Sequence, residues 1–405
     1  MVVGNVGIIA LESRGTVVDA ECVLPGRLTT VKADSGFEQI HGGHSHPTFS
    51  ALRHCVRTVR QASENRKRPM QQTERELSRR RFLRGTFASA MVGGVAASGW
   101  TGEPRRKAQI AITLDLEMSR HYPRRGMLEW DFQKGNLSEN TKRYALEAAR
   151  VAKKHGGLIQ FFCVGRVLEQ KNVDWLKEIA RNGHPVGNHT YDHIDLLAKK
   201  PSELQFRFRR APWLIHGRTV PEVIRDNIEM TTRALKQRVG IKADGFRTPG
   251  GFRTGLKGSP DLQRMLQKLG FSWCSSVYPS YRTGKPFEKP TDAVYDSIAA
   301  AAVKTQPFLY PTGLVEIPMS PISDVSAFRT LRWKRPWFLT AIRRAVERVI
   351  ATGGVYDFLA HPSCLVVEDA GFETIRMICD VVKAAGDRAE IVGLDTIARA
   401  TRQPK

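Results

Sequence analysis

From residue 108 onward, short apolar runs alternate with longer stretches of helical spacing. Residues 109–114 read as a strand, and 138–155 as a helix opening on Ser138-Glu139. A strand at 158–164, a helix at 173–182 stopped by Gly183, and a short strand at 185–188 follow. The spacing then predicts a helix over 221–239 ending at Gly240 and a strand at 243–247. Next come a helix at 259–269 ended by Gly270 and strands at 271–276 and 314–318. A helix at 337–352, a strand at 355–360, a helix at 370–385 and a last strand at 391–394 complete the pattern. Strands alternating with helices predict a parallel sheet, and seven or eight such units predict an α/β barrel rather than an open sheet.

The first hundred residues lack this alternation. Residues 1–69 show no sustained periodicity. Ser78-Arg79-Arg80-Arg81-Phe82-Leu83-Arg84 then precedes a mild apolar stretch from Phe87 to Ala97. This order resembles a twin-arginine export signal. The apolar stretch is shorter than the about 20 residues needed to span a bilayer. Met70 stands nine residues before Arg79, a normal leader length. The expected division is a non-native or disordered extension at 1–69, a signal segment at 70–99 and a barrel at 105–400. Cleavage after Val95-Ala96-Ala97 would leave Ser98 as the new terminus. His41, His44 and His46 then fall in the extension and are not read as a metal cluster. The chain is expected to leave the bacterial cytoplasm through the twin-arginine machinery for the periplasm or cell envelope, without a stable transmembrane span.

Composition adds less. The 405 residues are 41% apolar, enough for a large core, and carry a net charge of +23. The basic residues are scattered rather than interleaved with aromatics, so nucleic acid is not expected as a partner. A solvated basic surface or attraction to an anionic matrix such as a cell wall both fit. The six cysteines (Cys22, Cys55, Cys163, Cys274, Cys364 and Cys379) form no CxxC pair, which excludes a zinc knuckle and a thioredoxin-type motif. Cys163, in Phe161-Phe162-Cys163-Val164, reads as a buried small hydrophobe, and a Cys364–Cys379 disulfide stays open.

Chemistry gathers where the predicted strands end. Asp115 and Glu117 are two apart, so an extended backbone projects both to one face. His189 and His193 are four apart and face together if their segment is helical. Arg247, Ser275 and His361 follow three later strands. In barrels the strands' C-terminal ends line one pocket. Each group alone has a plainer reading: a solvated turn, a chance HxxxH, a surface ion pair. Together, Glu117, His189 and His193 make a two-His-one-carboxylate metal site that leaves room for water. Asp115 would take a proton from that water, Arg247 would pair with Asp115 and keep it ionised, and His361 would protonate the leaving amine.

The order and character of these segments resemble the polysaccharide deacetylase (NodB-homology) family, also called carbohydrate esterase family four. His189-Thr190-Tyr191-Asp192-His193 is similar to its H-[ST]-x-x-H segment, and Arg247-Thr248-Pro249-Gly250-Gly251 to its R-x-P-x-G segment. Leu359 and His361 keep its late L-x-H segment, and Leu158-Ile159-Gln160-Phe161-Phe162-Cys163-Val164-Gly165 looks like its second strand. The resemblance covers about residues 108–395. It implies a distorted (β/α) barrel of seven or eight units, of the glycoside hydrolase/deacetylase type, holding one divalent metal, usually zinc.

Two segments depart from the family pattern. Asp115-Leu116-Glu117 stands in place of two adjacent aspartates, with Glu117 as the replacing ligand. Phe271-Ser272-Trp273-Cys274-Ser275-Ser276 lacks the aspartate that tunes the late histidine. His361 is therefore expected to lack a carboxylate partner and to titrate near the unperturbed value of about 6.5. Val315-Glu316-Ile317-Pro318 is similar to a branch with peptidoglycan-deacetylase-like and cyclic-amide-cleaving members. The expected function is metal-dependent hydrolysis of non-peptide C–N bonds, deacetylating an N-acetylated polysaccharide or peptidoglycan. The alternatives are a cyclic-amide or other C–N hydrolase, and a catalytically silent carbohydrate-binding barrel.

Overall fold

The computed structural model describes the backbone of Ile8–Arg14, Val17–Leu24 and Arg27–Ala33, and residues 106–119, 122 and 134–403. The chain divides into two compact units, Met1–Ala96 and Ala97–Lys405. In the first, β1 (Ile8–Arg14), β2 (Val17–Leu24) and β3 (Arg27–Ala33) form an antiparallel meander. The expected export signal at Arg79-Arg80-Arg81, the start at Met70, the cleavage site at Ser98, Cys55 and the histidines 41, 44 and 46 lie outside the described residues.

The second unit is built on β4 (Ala108–Leu116), every residue of which is buried. Period-two alternation sends its side chains to two cores. Ile110, Ile112, Leu114 and Leu116 join the large core under the surrounding helices. Ala111 points the other way, into a smaller core with Phe162, Trp273, Val315 and Leu394. Thr113 and Asp115 share that inward face two and four residues on. A strand buried on both faces reads as a nearly continuous apolar run, which is why its sequence signal is strong.

The remaining strands are β5 (Gln160–Cys163), β6 (Val186–Asn188), β7 (Phe246–Phe252), β8 (Trp273–Val277), β9 (Phe308–Leu309), β10 (Val315–Glu316), β11 (Val355–Ala360) and β12 (Ala389–Ile391). Their order is β11-β4-β5-β6-β7-β8-β10-β9, with β12 also on β4. All pairings are parallel except β9 with β10. Beyond β10 the chain reaches β11, where Ser320 N donates to Asp357 O at 2.7 Å and Leu359 N to Ser320 Oγ at 3.1 Å. The result is the expected distorted (β/α) barrel, with its core between sheet and helices and a second core inside.

Register fixes the site. Cα partners run Leu116, Cys163, Asn188, Phe246, Cys274, Glu316 across six neighbouring strands. One residue further on, Glu117, His189, Arg247 and Ser275 therefore share a level. Ala360 pairs with Leu114, which brings His361 alongside Asp115. Gly245, just before β7, permits the close packing beneath this level. Its φ is +77°, and a Cβ there would meet the Trp273 ring at 1.9 Å.

The helices match most expected positions, including Glu139–Lys154 with Ser138 accepting from Thr141 N as its N-cap. Among the described residues five α-helices were not expected: Pro201–Leu204, Phe206–Arg210, Asp292–Lys304, Pro362–Glu368 and Leu394–Arg402. The last begins where the sequence pattern predicted a strand to continue, and Leu394, Ile397 and Ala398 plug the inner core. Cys364 and Cys379 are separate buried thiols, so that disulfide does not form, and Cys163 is buried as expected. Among the described residues no helix is long and apolar enough to cross a membrane.

Candidate active site

Asp115 is the penultimate residue of β4, and Glu117 follows the strand in a tight turn closed by Glu117 N donating to Asp115 O at 3.0 Å. Both carboxylates are buried and point to the same place. His189 Nε2 lies 3.7 Å from Asp115 Oδ2 and 3.7 Å from Glu117 Oε2. His193 Nε2 stands 2.7 Å from Glu117 Oε2.

The two histidines do not meet on a helix. Thr190 and His193 both have left-handed backbones, φ +57° and +56°. Such conformations cost about 1–3 kcal/mol each for non-glycine residues. Side chains hold the turn in place: Asn188 Oδ1 accepts from Thr190 N at 2.9 Å, and Thr190 Oγ1 from Ile194 N at 3.2 Å. Asn227 Oδ1 takes Asp192 N at 2.8 Å. Strained backbone held by surrounding bonds is characteristic of a functional loop.

Orientation of His189 follows from its partner. Its Nδ1 lies 3.0 Å from the Arg247 carbonyl, which can only accept. Nδ1 therefore carries the hydrogen, and the Nε2 lone pair faces the carboxylates. Burial lowers the His189 pKa to about 4 and outweighs the raising effect of Asp115. Burial also lowers His193, against the pull of Glu117. Both imidazoles are thus neutral at pH 7, the form in which histidine binds metal.

Arg247 is fully buried and organises the barrel mouth. Its Nη1 donates to Asp115 Oδ1 at 3.1 Å and to Thr113 Oγ1 at 2.7 Å. Nη2 pairs with Asp357 Oδ2, and Ser275 Oγ accepts at 3.2 Å. The guanidinium lies 4.3 Å above the Phe162 ring. Because Arg247 holds Oδ1 of Asp115, Oδ2 is the oxygen turned toward the histidines.

His361 corrects a sequence expectation. It does have a carboxylate partner, supplied by Asp324 from the segment after β10 rather than by the fourth segment. Asp324 Oδ1 meets His361 Nδ1 at 2.8 Å, and Oδ2 accepts the His361 backbone N–H at 2.7 Å. Burial disfavours the imidazolium, but Asp324 outweighs it, helped by Glu117 and Asp115, and the pKa rises. His361 Nε2 faces Glu117 Oε1 at 3.7 Å and Asp115 Oδ2 at 4.0 Å.

All six residues expected at the site therefore converge, with Ser275 beside them. Four that sequence reasoning missed join them: Lys134, Asp324, Asp357 and Thr113. Asp357 carried a readable signal, being the one acid in the apolar strand Val355–Ala360. Glu316, on β10, instead closes the end of β8: its carboxylate accepts from Ser276 N and Val277 N at 2.7 Å and Tyr310 OH at 2.8 Å.

One donor each from Glu117, His189 and His193 lies within 4.8 Å of the others. Glu117 Oε2 is buried, and its polar neighbours are the ring nitrogens His193 Nε2 at 2.7 Å and His189 Nε2 at 3.7 Å. A buried carboxylate oxygen between two imidazole nitrogens fits a divalent cation with nitrogen and oxygen ligands.

The polysaccharide deacetylase family model matches residues 127–272, a span containing His189, His193 and Arg247. Over that segment the chain is similar to the polysaccharide deacetylases. Asp115, Glu117 and His361 lie outside the matched segment, and the structure alone brings them to it. An uncharacterized Bacillus subtilis protein, YlxY, is 29% identical over 101 residues, 25% of each chain. The chain thus spans about a quarter of that relative's length. A solved Mycobacterium smegmatis structure with a provisional polysaccharide deacetylase assignment shares the fold at TM-score 0.50 and 17% identity, over 74% of this chain and 92% of that one. A Clostridium thermocellum family 4 acetyl xylan esterase solved with cobalt is 12% identical over 73% and 93%, at TM-score 0.36.

Proposed function

We propose that the barrel is a metal-dependent amidohydrolase that removes N-acetyl groups from a polysaccharide or peptidoglycan. One observation carries this reading. Asp115 Oδ2 and His361 Nε2, each oriented by its own buried partner, stand 4.0 Å apart beside a convergent carboxylate–His–His donor set.

Glu117, His189 and His193 would hold the ion, most simply zinc given these ligand types. Bound there, it supplies Lewis-acid polarisation of the scissile carbonyl. Asp115 accepts the proton of the attacking water through Oδ2, since Arg247 occupies Oδ1. His361 donates a proton from Nε2 to the departing amine, since Asp324 occupies Nδ1. The Asp324 partnership removes the argument for a silent barrel, which rested on a missing carboxylate.

A polymeric substrate is supported by the rim. Directly after the His193 turn come the short helices Pro201–Leu204 and Phe206–Arg210 and a turn carrying Trp213, which is 71% exposed. Arg207 Nη1 fastens this rim to Asp192 at 2.6 Å. Residues 199–219 hold six Lys or Arg against one acid, Glu203, which suits a glycan bearing anionic groups.

Acetate release from N-acetylglucosamine oligomers, measured with metal content, tests the reading. Wild-type protein should bind one zinc per chain and release acetate. His189→Ala with His193→Ala should lose both, and unchanged zinc stoichiometry in that double variant would refute the site. Cleavage of a cyclic amide with no acetate release would favour the other C–N hydrolase. We also propose export through the twin-arginine pathway to the periplasm or cell envelope. Changing Arg79, Arg80 and Arg81 to lysine together should retain the protein in the cytoplasm of a pathway-intact host, and export of the triple variant would overturn this.

A further inference from the structure

Lys134 is a buried ammonium inside the ligand set, and neither the sequence motifs nor the proposed chemistry uses it. Its residue is 3% exposed. Nζ pairs with Glu117 Oε1 and lies 3.4 Å from His193 Nε2. Its placement is built in: Met118 N, next to Glu117, donates to Lys134 O at 2.9 Å. Gly135 lets the chain pass so close to the barrel that a Cβ there would meet Arg166 Cβ at 2.2 Å.

Each of the four buried carboxylates at the barrel mouth has a cationic neighbour. Arg247 serves Asp115 and Asp357, His361 serves Asp324, and Lys134 serves Glu117. Glu117 is the carboxylate of the donor set, so its cation is the one a divalent ion must share or displace. Like charges a few ångströms apart inside a protein repel strongly, because little water screens them.

We propose that Lys134 is the resident cation of the ligand set: it neutralises Glu117 in the metal-free protein and competes with the divalent ion for it. This rests on the reading of Glu117, His189 and His193 as ligands. Lys134 is thus a positioning residue that tunes metal affinity, placing the site among those that exchange their ion rather than bury it for good. A neutral side chain at 134 would leave Glu117 wholly to the metal.

The test uses zinc and a competing chromophoric chelator on the full chain. Lys134→Met and Lys134→Gln should bind zinc roughly tenfold tighter or more than wild type, while Lys134→Arg, which keeps the charge, should stay near it. The neutral variants should also show a lower metal-free Tm and a larger rise on adding zinc than wild type. Neutral variants that bind zinc no more tightly than wild type would overturn the inference. So would neutral variants that fail to fold even with zinc present, since zinc should then replace the charge that Lys134 supplies. Zinc retained by His189→Ala with His193→Ala would instead sink the ligand assignment itself, so the two failures are distinguishable.

Discussion

Replacing His361 with alanine should lower turnover on an N-acetylated oligosaccharide about 10²–10⁴-fold, the usual loss for a removed general acid. The pH profile separates this role from simple packing. A general acid must be protonated, so activity should fall as pH rises through the His361 pKa. Asp324 raises that pKa, so the alkaline limb of the wild-type profile should lie above the unperturbed value of about 6.5. Asp324→Asn keeps an oxygen for the His361 backbone N–H but removes the charge. Its alkaline limb should move to lower pH.

Stability should follow the same direction. A histidine whose folded pKa is raised contributes stability that is fully present below its unfolded pKa and is lost as pH rises through the folded value. Asp324→Asn should therefore destabilise more at pH 6 than at pH 9, as read by urea unfolding. Coincident alkaline limbs for wild type and Asp324→Asn, or full activity of His361→Ala, would remove the pair from the mechanism.

How legible this site was depended on what each residue does to the local pattern. Asp115, Arg247 and His361 interrupt or follow apolar runs, and the barrel's parallel register carries such positions to one level. The apolar runs were strong because β4 and its neighbours are buried on both faces. The geometry of the His189–His193 turn was not legible. A four-residue spacing suggests a helix, whereas the turn depends on left-handed Thr190 and His193, held by Asn188. Asp324 was hidden for a different reason. It sits just before a helical turn and accepts from Val325 N, so it reads as an ordinary cap, and its pairing with His361 spans 37 residues. Lys134 gave no local cue, because its partner is 17 residues away and its depth comes from Gly135 passing against Arg166. The helix Asp292–Lys304 escaped because its alanine run Ala299-Ala300-Ala301-Ala302 blurs the apolar face.

Arg247→Met should cost about 3–5 kcal/mol of folding stability at pH 7, the usual loss when one partner of a buried ion pair is removed. Methionine fills much of the volume and still packs on Phe162, so the loss reports the charge more than a cavity. What remains is Asp115 and Asp357, both buried, with Thr113 Oγ1 donating to Asp357 alone and no cation between the two carboxylates. Burial already pushes the Asp357 pKa up, against the opposing pull of Arg247. Without the guanidinium it should rise further. A carboxyl with a raised folded pKa binds more protons folded than unfolded, so stability falls as pH rises above its unfolded value of about 3.9. The penalty of Arg247→Met should accordingly be smaller near pH 4 than at pH 7. Adding Asp357→Asn should recover part of it, because one of the two stranded charges is gone and the asparagine amide can still meet Thr113. Urea unfolding at both pH values reads all three expectations. A single variant within about 1 kcal/mol of wild type at pH 7 would mean that the buried cation is not what holds these carboxylates in the barrel mouth.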